Sequence, residues 1–243
     1  MLVATQGLVL HTTPYSETSV IVKVFTERLG VRSYILKGVR KTGSRLKQGL
    51  LKPLSWIDMV VYDNPHTSIN YIKEISAAAP PTENNESVNA VIFFMDELLY
   101  RTLRESEPMP ELFRYVTSQL QILATEPART SAIPIIYLIT VARLLGIAPL
   151  DNYSLREPYF CLSEGRYVSA GHTTADPTTD LIDEHHSAAL HNYLSASNND
   201  SPIPIYPAST RMTVIYTLID YYKHHLAYFG NFKSHEILHG VLA

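Results

Sequence analysis

Residues 37–62, KGVRKTGSRLKQGLLKPLSWIDMVVY, join two stretches of strand character. Val31–Lys37 leads into them and Lys52–Tyr62 closes them, both rich in β-branched and aromatic residues. From Lys37 to Lys52 stand six basic residues and no acid. Such a loop suits a phosphate backbone, because ammonium and guanidinium groups displace the counterions condensed on it. Gly38, Gly43 and Gly49 relax the steric limits on the backbone between them. Lys37, Arg40, Lys41, Arg45, Lys47 and Lys52 are therefore the candidate phosphate contacts. The plain alternative is a solvated surface loop, which is what most charge runs are.

Working outward, residues 2–11 alternate apolar and polar as a strand does, with Gly7 as the place for a β-bulge. Ser19–Thr26 is β-branched, and Arg28-Leu29-Gly30 turns it into Val31–Lys37. Ile69–Ala77 follows the turn residues Asp63-Asn64-Pro65-His66, with Ile69, Tyr71, Ile72 and Ile75 as its apolar members. About five short strands before residue 80 predict a small closed sheet, and the OB-fold is the common version that binds nucleic acid. Tyr34, Trp56 and Tyr62 lie near enough in sequence to offer stacking faces to unpaired bases. For Trp56, inside an apolar strand, a core position is the better reading.

After Pro80-Pro81 the period changes from two to that of a helix. Val88, Val91, Ile92, Met95, Leu98, Leu99 and Leu103 recur on one helical face, and a second helix runs from Glu111 to about Thr125. Ala132–Leu145 is apolar nearly all round and stops at Gly146, with Pro149 just beyond. Residues 151–180 read as an irregular insertion with a hairpin through Tyr159–Leu162 and Arg166–Ser169. Helices return at 181–195, 208–229 and 234–241. The fold class predicted is α+β: a barrel over 1–80 and a mainly helical domain over 81–243.

The net charge of −3 conceals a split. Through residue 80, ten Lys+Arg face five Asp+Glu; from 81 onward, ten face eighteen. A basic first part before an acidic second part points to a polyanion at one end. No apolar run reaches the roughly 20 residues of a membrane span, and the opening residues lack the features of a signal peptide. A single cysteine, Cys161, rules out an internal disulfide and a zinc site made of thiolates. These features together lead to the expectation of a cytoplasmic protein with no membrane contact and no cofactor.

Two histidine patterns compete for attention. His235-Glu236-Ile237-Leu238-His239 matches the metalloprotease pattern, in which two imidazoles one turn apart hold zinc. It leaves only four residues for a third ligand and the terminus is a poor support, so a polar helix face is the better reading. His185-His186 with His191, and His224-His225, are further candidate ligands, but adjacent helical residues point about 100° apart, so neither pair chelates alone. No phosphate-binding glycine loop, paired carboxylates or nucleophile triad stands out, and no enzyme is expected.

The segment quoted at the start resembles the RecO family of bacterial recombination mediators. That family pairs a Lys-Gly-x-Arg strand end with Ser-Arg-Leu and a following Leu-x-Pro. GLVLHTTPYSETSVIVKVFTERLGVRSYILKG, Arg143-Leu144-Leu145-Gly146-Ile147-Ala148-Pro149 and the stretch His224–Leu238 are similar to family segments in the same order. The resemblance implies an N-terminal OB-fold, a helical C-terminal domain and no covalent catalysis. It implies binding of single- and double-stranded DNA, annealing of complementary strands and, with RecR, loading of recombinase onto DNA coated by single-strand-binding protein. It also implies that the helical domain docks the acidic C-terminal tail of that coating protein; Arg129 and Arg143, flanking the most apolar helix, are the candidate cations. Arg143 reads equally well as a complement to its own helix C-terminus. Many family members carry a four-cysteine zinc module where this chain has residues 151–172, so the hairpin here is zinc-less and packed by Tyr153, Tyr159, Phe160 and Tyr167. An RNA-binding OB protein, and more remotely a metal-dependent hydrolase, are the rival classes.

Overall fold

The computed structural model describes all residues except 40–47, 65, 80–84, 105–106, 127–129, 132, 175–179, 200 and 243. They fall into two compact units, one of Met1–Asn85 with Met95–Glu126, the other of Glu86–Phe94 with Pro127–Ala243.

In the first unit, five strands close into a barrel: β1 (Leu2–Pro14), β2 (Val20–Thr26), β3 (Gly30–Leu36), β4 (Trp56–Tyr62) and β5 (Ile69–Ala77). The order round the barrel is β1-β2-β3-β5-β4, with β3 and β5 parallel and the other pairs antiparallel. Alternate residues fill the interior, among them Val3, Val22, Tyr34, Ile57, Val61 and Ile72. Burying each aliphatic side chain contributes about 1.5–3 kcal/mol.

The β1 bulge lies between Val9 and His11, not at Gly7. There the chain turns to meet a second partner: Val9 pairs with the turn before β4, its carbonyl accepting from Leu54 N at 2.8 Å and its N–H donating to Ser55 O at 3.1 Å. Gly7 has another reason, since a Cβ on it would stand 2.4 Å from Val24 Cγ1. Strict alternation fails at Leu8-Val9-Leu10, all buried. Leu8 faces Phe25 across the ladder, and Phe25 meets Phe113 edge-on at 5.5 Å. Phe113 belongs to α2 (Pro110–Thr125), which follows α1 (Glu86–Thr102). This side of the barrel is thus covered on its outer face by a helix of its own unit.

In the second unit, α3 (Ile133–Leu144) is buried along nearly its whole length. It packs with α4 (Glu184–Asn199) and α5 (Ala208–His225), and the last helix is α6 (Ser234–Leu242). Tyr222 donates its hydroxyl to Leu138 O at 2.8 Å, tying α5 to α3. The insertion forms a three-stranded sheet of β6 (Tyr159–Cys161), β7 (Arg166–Val168) and β8 (Leu181–Ile182), ordered β7-β6-β8. Leu181 and Ile182, expected to open a helix, pair with Cys161 and Phe160 instead. The helix starts after Asp183, whose carboxylate accepts from His186 N at 3.1 Å. Of the aromatics expected to pack the insertion, Phe160, Tyr167 and Tyr153 form a chain of edge-on contacts, and His191 stacks on Tyr153. Helix α5 stops at His225, short of 229, where Tyr222, Phe229 and Phe232 stack in series.

Candidate nucleic-acid interface

The basic stretch leaves and rejoins the barrel at fixed points. β3 ends at Leu36, and Gly38 takes a φ of +75°, a conformation that costs an L-residue roughly 1–2 kcal/mol. Val39 then turns back into the barrel interior, 1% exposed. Gln48 Nε2 donates to Val39 O at 3.1 Å, bringing these two residues together. The return ends in a tight turn in which Ser55 N donates to Lys52 O at 3.0 Å. Leu54 there has φ +53°, the one non-glycine residue so placed among those described, with its side chain buried. Lys37 and Lys52 are both exposed. Arg40, Lys41, Arg45 and Lys47 lie outside the described residues. From Arg28 to Ile57 the sequence holds eight Lys+Arg and no acid.

Of the three aromatics picked out by sequence position, only Tyr62 offers an open face. Tyr34 points into the barrel, fully buried, and burial raises its phenol above the ordinary range. It cannot stack on a base. Trp56 is half-buried, with Nε1 donating to Gln6 Oε1 at 3.1 Å. The aromatic that sequence reasoning missed is Tyr71. Sequence alone groups it with Ile69, Ile72 and Ile75 as a single apolar set, but parity divides them: Ile72 is buried, while Ile69 and Tyr71 are exposed. The signal was available in Ile69, Tyr71 and Lys73, every second residue, with the polar Asn70 turned inward. Asn70 is satisfied there, its Oδ1 accepting from Asn64 N at 3.0 Å and Thr67 Oγ1 at 3.0 Å.

Register places these outward side chains in one row. Leu2 pairs with Tyr62, Tyr62 with Tyr71, and Tyr71 with Ile35. Paired residues project to the same face of a sheet, and Lys37 follows Ile35 by two, so it joins that face. Its Nζ lies 4.9 Å from the centroid of the Tyr71 ring.

In the second unit, Arg143 Nη1 donates to Ser197 O and Asn198 Oδ1, both at 3.1 Å. It serves the last turn of α4, a neighbouring helix, rather than the C-terminus of α3 to which it belongs. Arg129 lies outside the described residues. Two of the candidate histidines are engaged by carboxylates: His191 with Asp151 at 2.6 Å and His186 with Asp183 at 2.6 Å. In the metalloprotease-like pattern, His235 packs against Tyr216 and Phe232 whereas His239 is exposed, so the two do not converge in a cleft.

Cys161, Glu164 and His172 bring one donor each within 4.8 Å of one another, a grouping not anticipated. Their own partners account for it. Glu164 is bridged by Arg166 at 2.7 Å and His172 at 2.5 Å, and the Cys161 thiol donates to Asp180 Oδ2 at 3.6 Å. A guanidinium already fills the cation's place at Glu164. The residues here do not fit the family's four-thiolate zinc. Among the described residues, no helix is long and apolar enough to cross a membrane.

Two family models match the chain in order. Recombination protein O N terminal covers residues 1–81, and recombination protein O C terminal covers residues 87–234. A protein of Azobacteroides pseudotrichonymphae named DNA repair protein RecO is 26% identical over 243 residues, 99% of each chain. One of the same name from Bacteroides fragilis is 31% identical over 172 residues, 70% of this chain and 71% of the relative. Another, from Flavobacterium johnsoniae, is 27% identical over 249 aligned positions spanning the whole of both chains. A closed five-stranded barrel followed by a helical part, matched in that order by both halves of one family, makes this chain a member of the RecO family of DNA repair proteins.

Proposed function

We propose that this protein acts in recombinational repair by binding single- and double-stranded DNA through the rim of its barrel and annealing complementary strands. The observation that carries this reading is the acid-free basic segment from Lys37 to Lys52, between β3 and β4, in which Gln48 hydrogen-bonds back to Val39. Cations closely spaced along such a segment can settle on successive phosphates. Lys37, Arg40, Lys41, Arg45, Lys47 and Lys52 make those contacts, each releasing condensed counterions. No covalent step is assigned: the barrel positions strands and the chemistry of annealing is base pairing itself.

The helical part, with its balance of ten Lys+Arg to eighteen Asp+Glu after residue 80, is poorly suited to holding a polyanion at long range. It takes the protein partners instead, RecR and the acidic, Phe-ending tail of single-strand-binding protein, in order to load recombinase. Arg129 and Arg143 are the candidate cations for the tail carboxylates. The site of action is the cytoplasm, at the nucleoid during repair.

Fluorescence anisotropy of labelled single strands and duplexes, titrated at several salt concentrations, tests the DNA-binding part. Binding of both that weakens steeply with salt is expected. No binding to either at low salt overturns the reading.

A further inference from the structure

The row Leu2–Tyr62–Tyr71 is solvent-exposed at 50, 48 and 43%, three large apolar side chains side by side on a sheet whose other side is covered. We propose that Tyr62 and Tyr71 form a two-base stacking platform that selects unpaired bases of single-stranded DNA, with Lys37 taking the adjoining phosphate. The inference rests on the DNA-binding reading above and adds the preference for single strands.

Three features favour this occupant. Charge complementarity is the first: the Lys37 ammonium stands over the Tyr71 ring, so a phosphate is drawn to the row. Geometry is the second. Neighbouring strands of a sheet lie about 4.8 Å apart, whereas successive bases in a stacked strand rise about 3.4 Å. A chain laid across the two tyrosines must therefore open its own stack, which a flexible single strand can do. A duplex keeps its base faces inside and offers the tyrosines nothing but backbone. The third is the Lys37–Tyr71 contact. An exposed cation over a ring is held more weakly than a base stacked on one, so an arriving base displaces the ammonium toward the phosphate next to it.

The test compares Tyr62→Ala/Tyr71→Ala with the wild-type protein and with Tyr71→Trp, after checking that melting temperatures agree. Oligo(dT) and a random-sequence duplex are titrated by anisotropy at several salt concentrations. The double variant, which loses two stacking faces, should bind oligo(dT) more weakly by roughly 30-fold or more, with duplex affinity and salt slope unchanged, while Tyr71→Trp retains or strengthens oligo(dT) binding. If the double variant binds oligo(dT) like wild type, or if single strand and duplex weaken equally, the platform is refuted while DNA binding stands. If the wild-type protein binds neither nucleic acid, the DNA-binding reading fails first. Should the double variant melt earlier, Tyr62→Leu/Tyr71→Leu keeps the apolar cover without the rings, and must still lose oligo(dT) binding.

Discussion

The Lys37 ammonium lies 4.9 Å from the centre of the Tyr71 ring, joining the end of β3 to the outer face of β5. An exposed contact of this kind is worth roughly 0.5–1 kcal/mol, and a base stacked on an aromatic about 1–3 kcal/mol. The second outweighs the first, so the contact organises the free surface without blocking a ligand. It also links Lys37, the first cation of the proposed DNA-binding segment, to the aromatic row.

Replacing Arg40, Lys41, Arg45 and Lys47 together by alanine should weaken binding of any DNA sequence. Each phosphate left without its cation lowers the slope of log affinity against log salt by about 0.7 to 0.9. An unchanged slope would make the segment a solvated surface only. The measurement is anisotropy over a salt series.

How much of this was legible in the sequence varies with the physical signal. The barrel strands announced themselves through period-two alternation, and α3 through an apolar surface ending at Gly146. Where one residue answers to two partners, the pattern misled. Leu8-Val9-Leu10 broke alternation because the barrel fills one face and Phe25 with Phe113 fills the other. Tyr34 and Tyr71 look alike in sequence, yet strand parity sends one inward and leaves the other in solvent. Leu181 and Ile182 joined a sheet because β6 offered a free edge, which no local pattern reveals. The Cys161, Glu164 and His172 grouping depends on a hairpin turn and lies beyond any spacing rule.

Arg143→Ala should lower stability by about 1 kcal/mol, because it leaves the last turn of α4 without its donor. DNA binding should not change. Thermal melting and a titration of a labelled acidic, Phe-ending peptide separate the two roles of this arginine: reduced stability with intact peptide affinity assigns it to α4 alone.

Asp96 in α1 has a buried Oδ1 with no hydrogen-bond partner among the described residues. Burial, aided by neighbouring Glu97, pushes its carboxyl up to about 8. The folded state therefore keeps a proton that the unfolded chain has released above its ordinary carboxylate range. Stability attributable to this group is fully present below about pH 4 and is lost as pH rises through about 8. Asp96→Asn should flatten that decline and raise the melting temperature at pH 8, as melting curves across pH 4–9 will show. A wild-type decline that persists unchanged in the variant would exonerate Asp96.

Chelation should leave the melting temperature and DNA binding unaltered, since Glu164 is satisfied by Arg166 and His172. Melting curves before and after dialysis against a chelator, with zinc added back, make the comparison. A zinc-dependent rise of several degrees would contradict this.

The central claim, that this chain brings DNA strands together, is tested most directly by the rate of annealing of two complementary labelled oligonucleotides, bare and coated with single-strand-binding protein. Faster annealing with wild-type protein in both cases is predicted, with most of the gain abolished when Arg40, Lys41, Arg45 and Lys47 become alanine. Annealing no faster than the spontaneous rate, with or without the coating protein, would contradict the account.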